Sequence, residues 1–349
     1  MSGNMLKAEF SSLKILPEVL EALRGKVCLV TGATGLIGSY LVRYLLNLND
    51  EHALSARVIA LCRNEQKARS ILGEPEERND IEFVLQDVEA PLELNDEVDF
   101  IVHAASPADP VSFSTRPVET MKSNFLGTMH LLEFLKRQGH GRMLYVSSGE
   151  VYGELEKDAV KREEMSGYVD PMNPRSCYPS SKRAAETLCA SYGREYEVEA
   201  VSVRLCYVYG PTVTDSNSRA DAQFLRKAAA GENIVMKSEG LQRRSYCYVA
   251  DAVTAMLTLL AKGQPGEAYN VASPHSNVTI RQYAETLAEK ASVAIEFQLP
   301  DSMEAQGYSK ISHAVLASEK LEALGWSSGF SLDEGLRQTL KIYRMLMEP

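Results

Sequence analysis

The residues suited to chemistry include a tyrosine and a lysine four positions apart in CYPSSKRAAETL. Of the sixteen tyrosines, only Tyr178 has a lysine at this spacing, Lys182. One helical turn would place both side chains on the same face. A phenol with its ordinary pKa near 10 is a poor base at neutral pH, but a neighbouring ammonium favours the phenolate. The pair therefore predicts a tyrosine base that takes a proton from an alcohol.

A hydroxyl and a carboxylate follow an apolar run in LYVSSGEVYG. Ser148 at the end of a predicted strand could hold the reacting oxygen, or it could be an ordinary turn residue. Glu150 could move a carbon-bound proton or influence the charge of a neighbouring carboxylate, or it could be a solvated loop acid. By themselves Tyr178 and Lys182 could be an exposed helical pair. This hydroxyl cluster and the glycine loop described next favour a catalytic set.

Three glycines lie between a predicted strand and a predicted helix in VCLVTGATGLIGSYLV. A dinucleotide pyrophosphate must approach backbone N–H groups at a helix N-terminus, where a Cβ would block it. Gly32, Gly35 and Gly38 remove that obstruction, and they follow the first strand of an alternating chain, which is the context this motif requires. We therefore predict dinucleotide binding rather than a purely structural glycine turn.

The second predicted strand, RVIALCRNEQKA, lacks the acidic residue that binds an adenosine ribose. Cys62 and Arg63 stand where that carboxylate is expected. Arg63 could receive a 2′-phosphate, which favours NADP, or it could be a solvated residue at a strand end.

Short β-branched runs alternate with helical segments from residue 25 onward. This alternation predicts an α/β fold: a Rossmann-type doubly wound parallel sheet, followed by a smaller C-terminal α/β domain for the substrate. We expect a helical N-terminal extension over residues 1–25, a single soluble amphipathic helix. A dinucleotide-binding domain over 26–210 and a mainly substrate-binding part over 211–349 follow, with residues 268–273 returning to the sheet.

Composition excludes several classes of protein. The chain has 349 residues and a net charge of −10, without the basic stripe that nucleic-acid or anionic-membrane binding requires. No apolar stretch is long enough for a bilayer span, and charged residues interrupt the N-terminus, which therefore does not resemble a secretory signal. The six cysteines form no CxxC pair and lie mostly in apolar runs. We expect a cytoplasmic protein that binds no metal, nucleic acid or membrane.

From Lys26 to Arg344 the chain resembles the extended short-chain dehydrogenase/reductase superfamily, in TGATGLIG, HAASPADP, ETMKSNFLGT, VSSGEVYG, YPSSK and YGP. Within it, QDVEAPL, HAASPADPVSF and RPVETMKSNFLGT are similar to segments of the UDP-glucuronate decarboxylases. The resemblance implies a nucleotide-sugar substrate, a homodimer formed through helices near 118–136 and 181–195, and a tightly held NAD, with NADP as the alternative because of Arg63. It assigns cofactor contacts to Gly32, Thr34, Gly35, Leu36, Ile37, Arg63, Asp87, Val88, Ala104, Ala105, Ser106, Asn124, Tyr178 and Lys182.

The resemblance also implies a reaction: oxidation at sugar carbon 4, a chemical step on the keto intermediate, and return of the hydride. Tyr178 would be the base, and Lys182 would lower its pKa and hold the cofactor ribose. Ser148 would orient the hydroxyl, and Glu150 matches the decarboxylase glutamate. Substrate contacts are assigned to Ser148, Gly149, Glu150, Tyr178, Tyr207 and Arg244, the last at the sugar-diphosphate end.

Departures from these families keep alternatives open. Dehydratases carry an Asp where Gly149 stands, which argues against 4,6-dehydration, and epimerases usually have a small residue where Glu150 stands. Tyr207 replaces an asparagine that contacts the substrate, and Thr212 replaces an arginine. Decarboxylation of UDP-glucuronate is the specific hypothesis. Epimerisation at carbon 4, 4,6-dehydration, and reduction of a free carbonyl compound by NADPH are the alternatives, and a non-catalytic dinucleotide sensor is disfavoured.

Overall fold

The central feature of the computed structural model, which describes residues 2–156, 158–298 and 312–347 and side chains from residue 6, is a parallel sheet. It has seven strands in the order β10-β6-β5-β4-β1-β2-β3. The order reverses between β1 and β4, where doubly wound sheets bind their ligands. The strands are β1 (Val27–Thr31), β2 (Arg57–Cys62), β3 (Ile81–Leu85), β4 (Phe100–His103), β5 (Arg142–Ser148), β6 (Glu199–Leu205) and β10 (Ala268–Val271).

Helices cover both faces of this sheet, and their buried side chains form two main apolar clusters. Strands buried on both faces are continuous apolar runs instead of alternating ones, as Val58 to Leu61 illustrate. The predicted α/β, Rossmann-type fold class is confirmed. The helices are α1 (Ser2–Phe10), α2 (Pro17–Leu23), α3 (Leu36–His52), α4 (Glu65–Leu72), α5 (Pro110–Thr115), α6 (Pro117–Gln138), α7 (Cys177–Tyr196), α8 (Ala220–Ala229), α9 (Val249–Lys262), α10 (Ile280–Ala291), α11 (Glu319–Glu322) and α12 (Leu332–Met347).

Smaller sheets lie beyond β6. One joins β11, β9 and β13, with β7 also paired to β9, and another pairs β12 with β8. Between them the chain returns to the central sheet, where β10 pairs in parallel with β6. The strands are β7 (Tyr207–Tyr209), β8 (Ile234–Met236), β9 (Arg243–Tyr248), β11 (Asn277–Thr279), β12 (Ile295–Phe297) and β13 (His313–Ala314).

The N-terminal segment forms two helices, and the expectation of a single amphipathic helix over it was wrong. Pro17 begins α2, a position that a proline tolerates because its missing N–H would be unpaired there. The first helix packs Phe10 on the ring of Tyr40 at 5.0 Å. Glu9 accepts hydrogen bonds from the hydroxyls of Tyr40 and Tyr248, and burial raises the pKa of its carboxyl. Internal hydrogen bonds thus attach the extension to the main fold.

None of the helices in the described ranges is long and apolar enough to cross a membrane. Over the same ranges, no three His, Cys, Asp or Glu side chains are grouped in a way that could hold a metal ion.

Candidate active site

A cavity of about 820 Å³ opens at the carboxyl ends of β5 and β6, between the central sheet and the smaller sheets. Four side chains suggested by the sequence line it together: Ser148, Glu150, Tyr178 and Lys182. Ser148 is the last residue of β5, and Glu150 lies on the 3-10 turn Gly149–Tyr152 that follows. Parallel strands end at the same edge of a sheet, so residues distant in sequence meet there.

Tyr178 lies in the first turn of α7 with only 8% of its surface exposed. Its ring stacks on Phe113, with centroids 4.5 Å apart. Burial raises the pKa of its phenol to about 12, the charge of Glu150 adds to the rise, and a hydrogen bond with Ser148 opposes it. In the protein without cofactor the phenol is therefore protonated, and positive charge brought into the cavity would favour the phenolate.

Lys182 lies one turn further along α7, and its ammonium is 5.7 Å from the centroid of the Tyr178 ring. The ammonium donates a hydrogen bond to the carbonyl oxygen of Val146 at 2.7 Å. Burial lowers the pKa of Lys182 to about 7, while the charge of Glu186 raises it. Near neutral pH this lysine therefore exchanges a proton readily, as a residue that assists a tyrosine base should.

This lowered pKa predicts a pH-dependent stability difference between the wild type and Lys182→Met. The unfolded lysine titrates near 10.5 and the folded one near 7, so between these pH values the unfolded chain binds the additional proton. The cost of burying the ammonium is fully present below pH 7 and disappears as the pH rises towards 10.5. Between pH 7 and pH 10.5, the free energy of unfolding of the wild type should increase relative to that of the variant by on the order of a few kcal/mol, measured by urea unfolding. A difference that does not change with pH would contradict the assigned shift.

Glu150 is held by Arg175, which the sequence analysis did not single out. The guanidinium donates two hydrogen bonds, at 2.7 and 3.0 Å, one to each carboxylate oxygen. Such a bidentate pair fixes both the position and the charge of the carboxylate. Arg175 stands three residues before Tyr178 on the turn Pro174–Ser176, so the approach to α7 supplies both groups.

The glycine turn after β1 fits a dinucleotide sterically. Gly32 has a φ of +66°, and a Cβ there would lie 2.8 Å from the backbone of Ala104. A Cβ on Gly38 would lie 2.2 Å from the carbonyl oxygen of Gly32, so the helix and the strand approach too closely for a side chain. Gly35 precedes α3 and provides no side-chain cap, leaving the helix N-terminus open to an anion.

The other residues proposed for the cofactor are divided between the cavity wall and the interior. Ile37, Ala104 and Ser106 line the cavity. The side chain of Asn124, by contrast, is fully buried under α7 and donates to the hydroxyl of Ser181. The remaining residues proposed from the sequence, Thr34, Leu36, Val88 and Ala105, are not among the residues lining the cavity.

Arg63 lies at the end of β2 with 74% of its side chain exposed. Its guanidinium is 3.6 Å from the carboxylate of Asp87, which follows β3. A carboxylate next to this arginine competes with any phosphate for the guanidinium, which favours NAD over NADP.

Arginine and tyrosine side chains form the opposite end of the cavity. The ring of Tyr207 lies under two guanidinium groups, with Arg244 at 4.3 Å and Arg219 at 5.4 Å from its centroid. One guanidinium nitrogen of Arg219 is buried with no hydrogen-bond partner among the described residues. Arg219 was missed in the sequence because an isolated arginine in an irregular segment carries no periodic signal. Two arginines beside an open cavity suit an anionic ligand.

Together, the sheet, the glycine turn and a buried tyrosine and lysine at its edge define a dinucleotide-dependent enzyme of the extended short-chain dehydrogenase/reductase class. The model of the NAD dependent epimerase/dehydratase family matches residues 28–272. UDP-glucuronic acid decarboxylase 6 of Arabidopsis thaliana is 33% identical over 308 residues, covering 88% of this chain and 86% of the relative. The chain therefore belongs to the NAD dependent epimerase/dehydratase family.

Solved structures share the fold. A UDP-glucose 4-epimerase from Thermotoga maritima, crystallised with UDP-glucose, superposes with a TM-score of 0.76 at 24% identity, covering 92% of this chain and all of the other. A dTDP-glucose 4,6-dehydratase from Streptomyces venezuelae, crystallised with NAD, gives a TM-score of 0.77 at 24% identity, covering 91% and 97%. The expected resemblance is confirmed, and the glycine turn suits the NAD on which this family depends.

Proposed function

We propose that this protein is an NAD-dependent decarboxylase of a nucleotide hexuronate, with UDP-glucuronate as the substrate. The observation that carries the proposal is one cavity in which Glu150 faces the Ser148 and Tyr178 pair while Gly149 supplies no acid. The similarity to UDP-glucuronic acid decarboxylases over most of the chain supports it.

Bound at the glycine turn, NAD would supply the reversible hydride acceptor for sugar carbon 4. Tyr178 takes the proton of the carbon 4 hydroxyl and gives it back at the end of the cycle. Ser148, which hydrogen-bonds the phenol, holds the same hydroxyl in line. Lys182 supplies positive charge beside the tyrosine and would hold the nicotinamide ribose. The carbonyl of Val146 holds the lysine towards the sheet edge.

A ketone at carbon 4 is β to the carboxylate on carbon 5. Carbon dioxide can then leave with its electrons delocalised into the ketone, and carbon 5 is protonated afterwards. Loss of water from carbon 6 would need an acid at position 149. A glycine stands there, and a Cβ at that position would lie 3.1 Å from the side chain of Leu316. The absence of an acid at this position supports decarboxylation over 4,6-dehydration.

The nucleotide is proposed to extend from this centre towards Arg219 and Arg244. Both guanidinium groups line the cavity, and the unpartnered nitrogen of Arg219 is suited to a pyrophosphate oxygen. In this arrangement residues 26–210 hold the dinucleotide and residues 211–349 mainly hold the nucleotide sugar. We place the enzyme in the cytoplasm, since its six cysteines are free thiols.

The test is incubation of the purified protein with UDP-glucuronate, UDP-glucose, UDP-N-acetylglucosamine and dTDP-glucose, with NAD or NADP, followed by mass spectrometry. Loss of carbon dioxide from UDP-glucuronate is the expected result. Loss of water from a hexose would replace the proposal with dehydration. In a parallel incubation with NADPH and a free carbonyl compound, stoichiometric NADPH consumption without retained cofactor would replace it with a carbonyl reductase.

One observation favours a second candidate, epimerisation at carbon 4. The two hydrogen bonds from Arg175 occupy both carboxylate oxygens of Glu150, and epimerisation does not require a free carboxylate as a base. An unchanged mass with altered chromatographic retention would establish this reaction.

We also propose a homodimer in which α6 and α7 of each subunit meet. Val118, Met121 and Phe125 are large apolar residues that are exposed at three- and four-residue intervals on α6. Light scattering should give twice the chain mass for the wild type, and Phe125→Glu should shift the protein towards the monomer at low concentration. A monomeric wild type would contradict the proposed assembly.

A further inference from the structure

Lys161 is a buried cavity residue to which the proposed reaction gives no role. It is 2% exposed, and it lines the cavity together with Ser148 and Glu150. It lies in the irregular stretch between β5 and α7, where charged residues are usually solvated. A buried lysine without a partner is costly, so its position needs an explanation.

The backbone of Lys161 is fixed in the fold. Its N–H donates to the carbonyl oxygen of Val315 at 2.8 Å. Its own carbonyl accepts from the N–H of Ala317 and from the side-chain amide of Asn270, each at 3.0 Å. Three hydrogen bonds thus hold the residue that carries the ammonium group, and the group has little freedom to withdraw to solvent.

The ammonium of Lys161 has no hydrogen-bond or ion-pair partner among the residues that the structure describes. The centroid of the Tyr152 ring lies 5.8 Å from the ammonium. Burial lowers the pKa of Lys161 to about 8, and the charge of Glu150 raises it. The carboxylate of Glu150 forms its ion pair with Arg175, which donates to both of its oxygens, and it is not within ion-pair distance of Lys161. A positive charge is therefore left for a ligand.

We propose that Lys161 determines specificity by forming an ion pair with the carboxylate on carbon 5 of the sugar. The inference rests on the proposed function, which places carbon 4 at Ser148 and Tyr178 and therefore carbon 5 one bond away. Apart from the diphosphate on carbon 1, which is proposed to lie at Arg219 and Arg244, the carboxylate is the substituent of the sugar ring that carries a full negative charge. A neutral hexose has a hydroxymethyl group there and would leave the ammonium uncompensated.

An ion pair with the carboxylate strengthens binding of the ground state without helping carbon dioxide to leave, because the departing group loses its negative charge. Removing Lys161 should therefore raise KM without lowering kcat. Substitution of a residue with a purely structural role would change the affinities for neutral and acidic sugars alike. Comparing the affinities for UDP-glucose and UDP-glucuronate therefore separates a structural role from recognition of the carboxylate.

The experiment measures binding by calorimetry in full-length protein with NAD, made inactive by Tyr178→Phe so that the ligands persist. UDP-glucuronate, UDP-glucose and UDP are titrated into this protein and into versions carrying Lys161→Met or Lys161→Gln. We expect both added substitutions to weaken UDP-glucuronate about 10- to 100-fold and to change UDP-glucose and UDP by less than about 3-fold. Arg162→Met is the matched control. Arg162 is the next residue in the chain, and its side chain pairs with Glu319 on the surface, so this substitution should not change the affinity for any of the three ligands.

Unchanged UDP affinity shows that the variants are folded. Equal weakening of UDP-glucuronate and UDP-glucose, or no weakening of either, would overturn the role of Lys161. If binding of UDP-glucuronate is selective and depends on Lys161, but the protein with Tyr178 intact releases no carbon dioxide, this inference stands and the proposed decarboxylation is wrong. If the protein releases carbon dioxide but Lys161→Met does not change its selectivity for UDP-glucuronate, the proposed decarboxylation stands and this inference is wrong.

Discussion

Tyr178→Phe is expected to lower kcat by about 10³-fold while the protein still binds NAD. The substitution removes only the hydroxyl, and the ring remains stacked on Phe113. Without the hydroxyl, the group proposed to accept the proton of the carbon 4 alcohol as the hydride leaves is missing. Lys182 and the glycine turn are unchanged, so cofactor affinity should stay within about 3-fold of that of the wild type.

Turnover would be followed by mass spectrometry of the nucleotide sugar, and NAD binding by calorimetry. Tyr168→Phe is a matched control, since Tyr168 is exposed and does not line the cavity. It should leave kcat within about 5-fold of the wild type. Substantial turnover by Tyr178→Phe would show that another group is the base, and the assignment of the catalytic pair would then be wrong.

Glu150→Gln is expected to reduce product formation by about 10²-fold or more, while oxidation at carbon 4 continues. The amide keeps the shape of the carboxylate but removes the negative charge beside the reacting ring. It also leaves Arg175 with one good acceptor in place of two. We expect NADH to accumulate on the variant after UDP-glucuronate is added, visible as absorbance near 340 nm.

Arg175→Met separates the position of Glu150 from its charge. This variant frees the carboxylate and removes its counter-ion, and it should keep more product formation than Glu150→Gln does. Full activity in Glu150→Gln would exclude the glutamate from the mechanism, and the Glu150–Arg175 pair would then be a structural ion pair of the cavity wall. Loss of oxidation as well as of product would show that the carboxylate acts at the first step.

The Glu150–Arg175 pair also shows how residues close in the sequence can escape sequence analysis. Arg175 is visible in NPRSCY, three residues before Tyr178, but an arginine that precedes a helix is commonly a solvated surface residue. Its partner lies 25 residues earlier, on the other side of an irregular stretch. No periodicity connects the two, so their meeting could not be derived without coordinates.

Much of the fold could be derived from the sequence alone, because each signal was local. Strand runs such as Arg57–Cys62 are apolar where both faces are buried. The glycines at 32, 35 and 38 stand where a turn leaves too little space for a Cβ. The four-residue spacing of Tyr178 and Lys182 fixes their relative position within one helix. These patterns determined the α/β class and led to the proposed cofactor turn and catalytic pair.

Only the tertiary structure decided which distant residues share the cavity. It brings Lys161 into the cavity through hydrogen bonds to Val315 and Ala317, more than 150 residues away in the chain. It also places the guanidinium groups of Arg219 and Arg244 close to the ring of Tyr207. It also divided the N-terminal extension into two helices attached through Glu9. The physical reason is that burial and charge pairing depend on long-range packing, which leaves no periodic trace in the segments that take part.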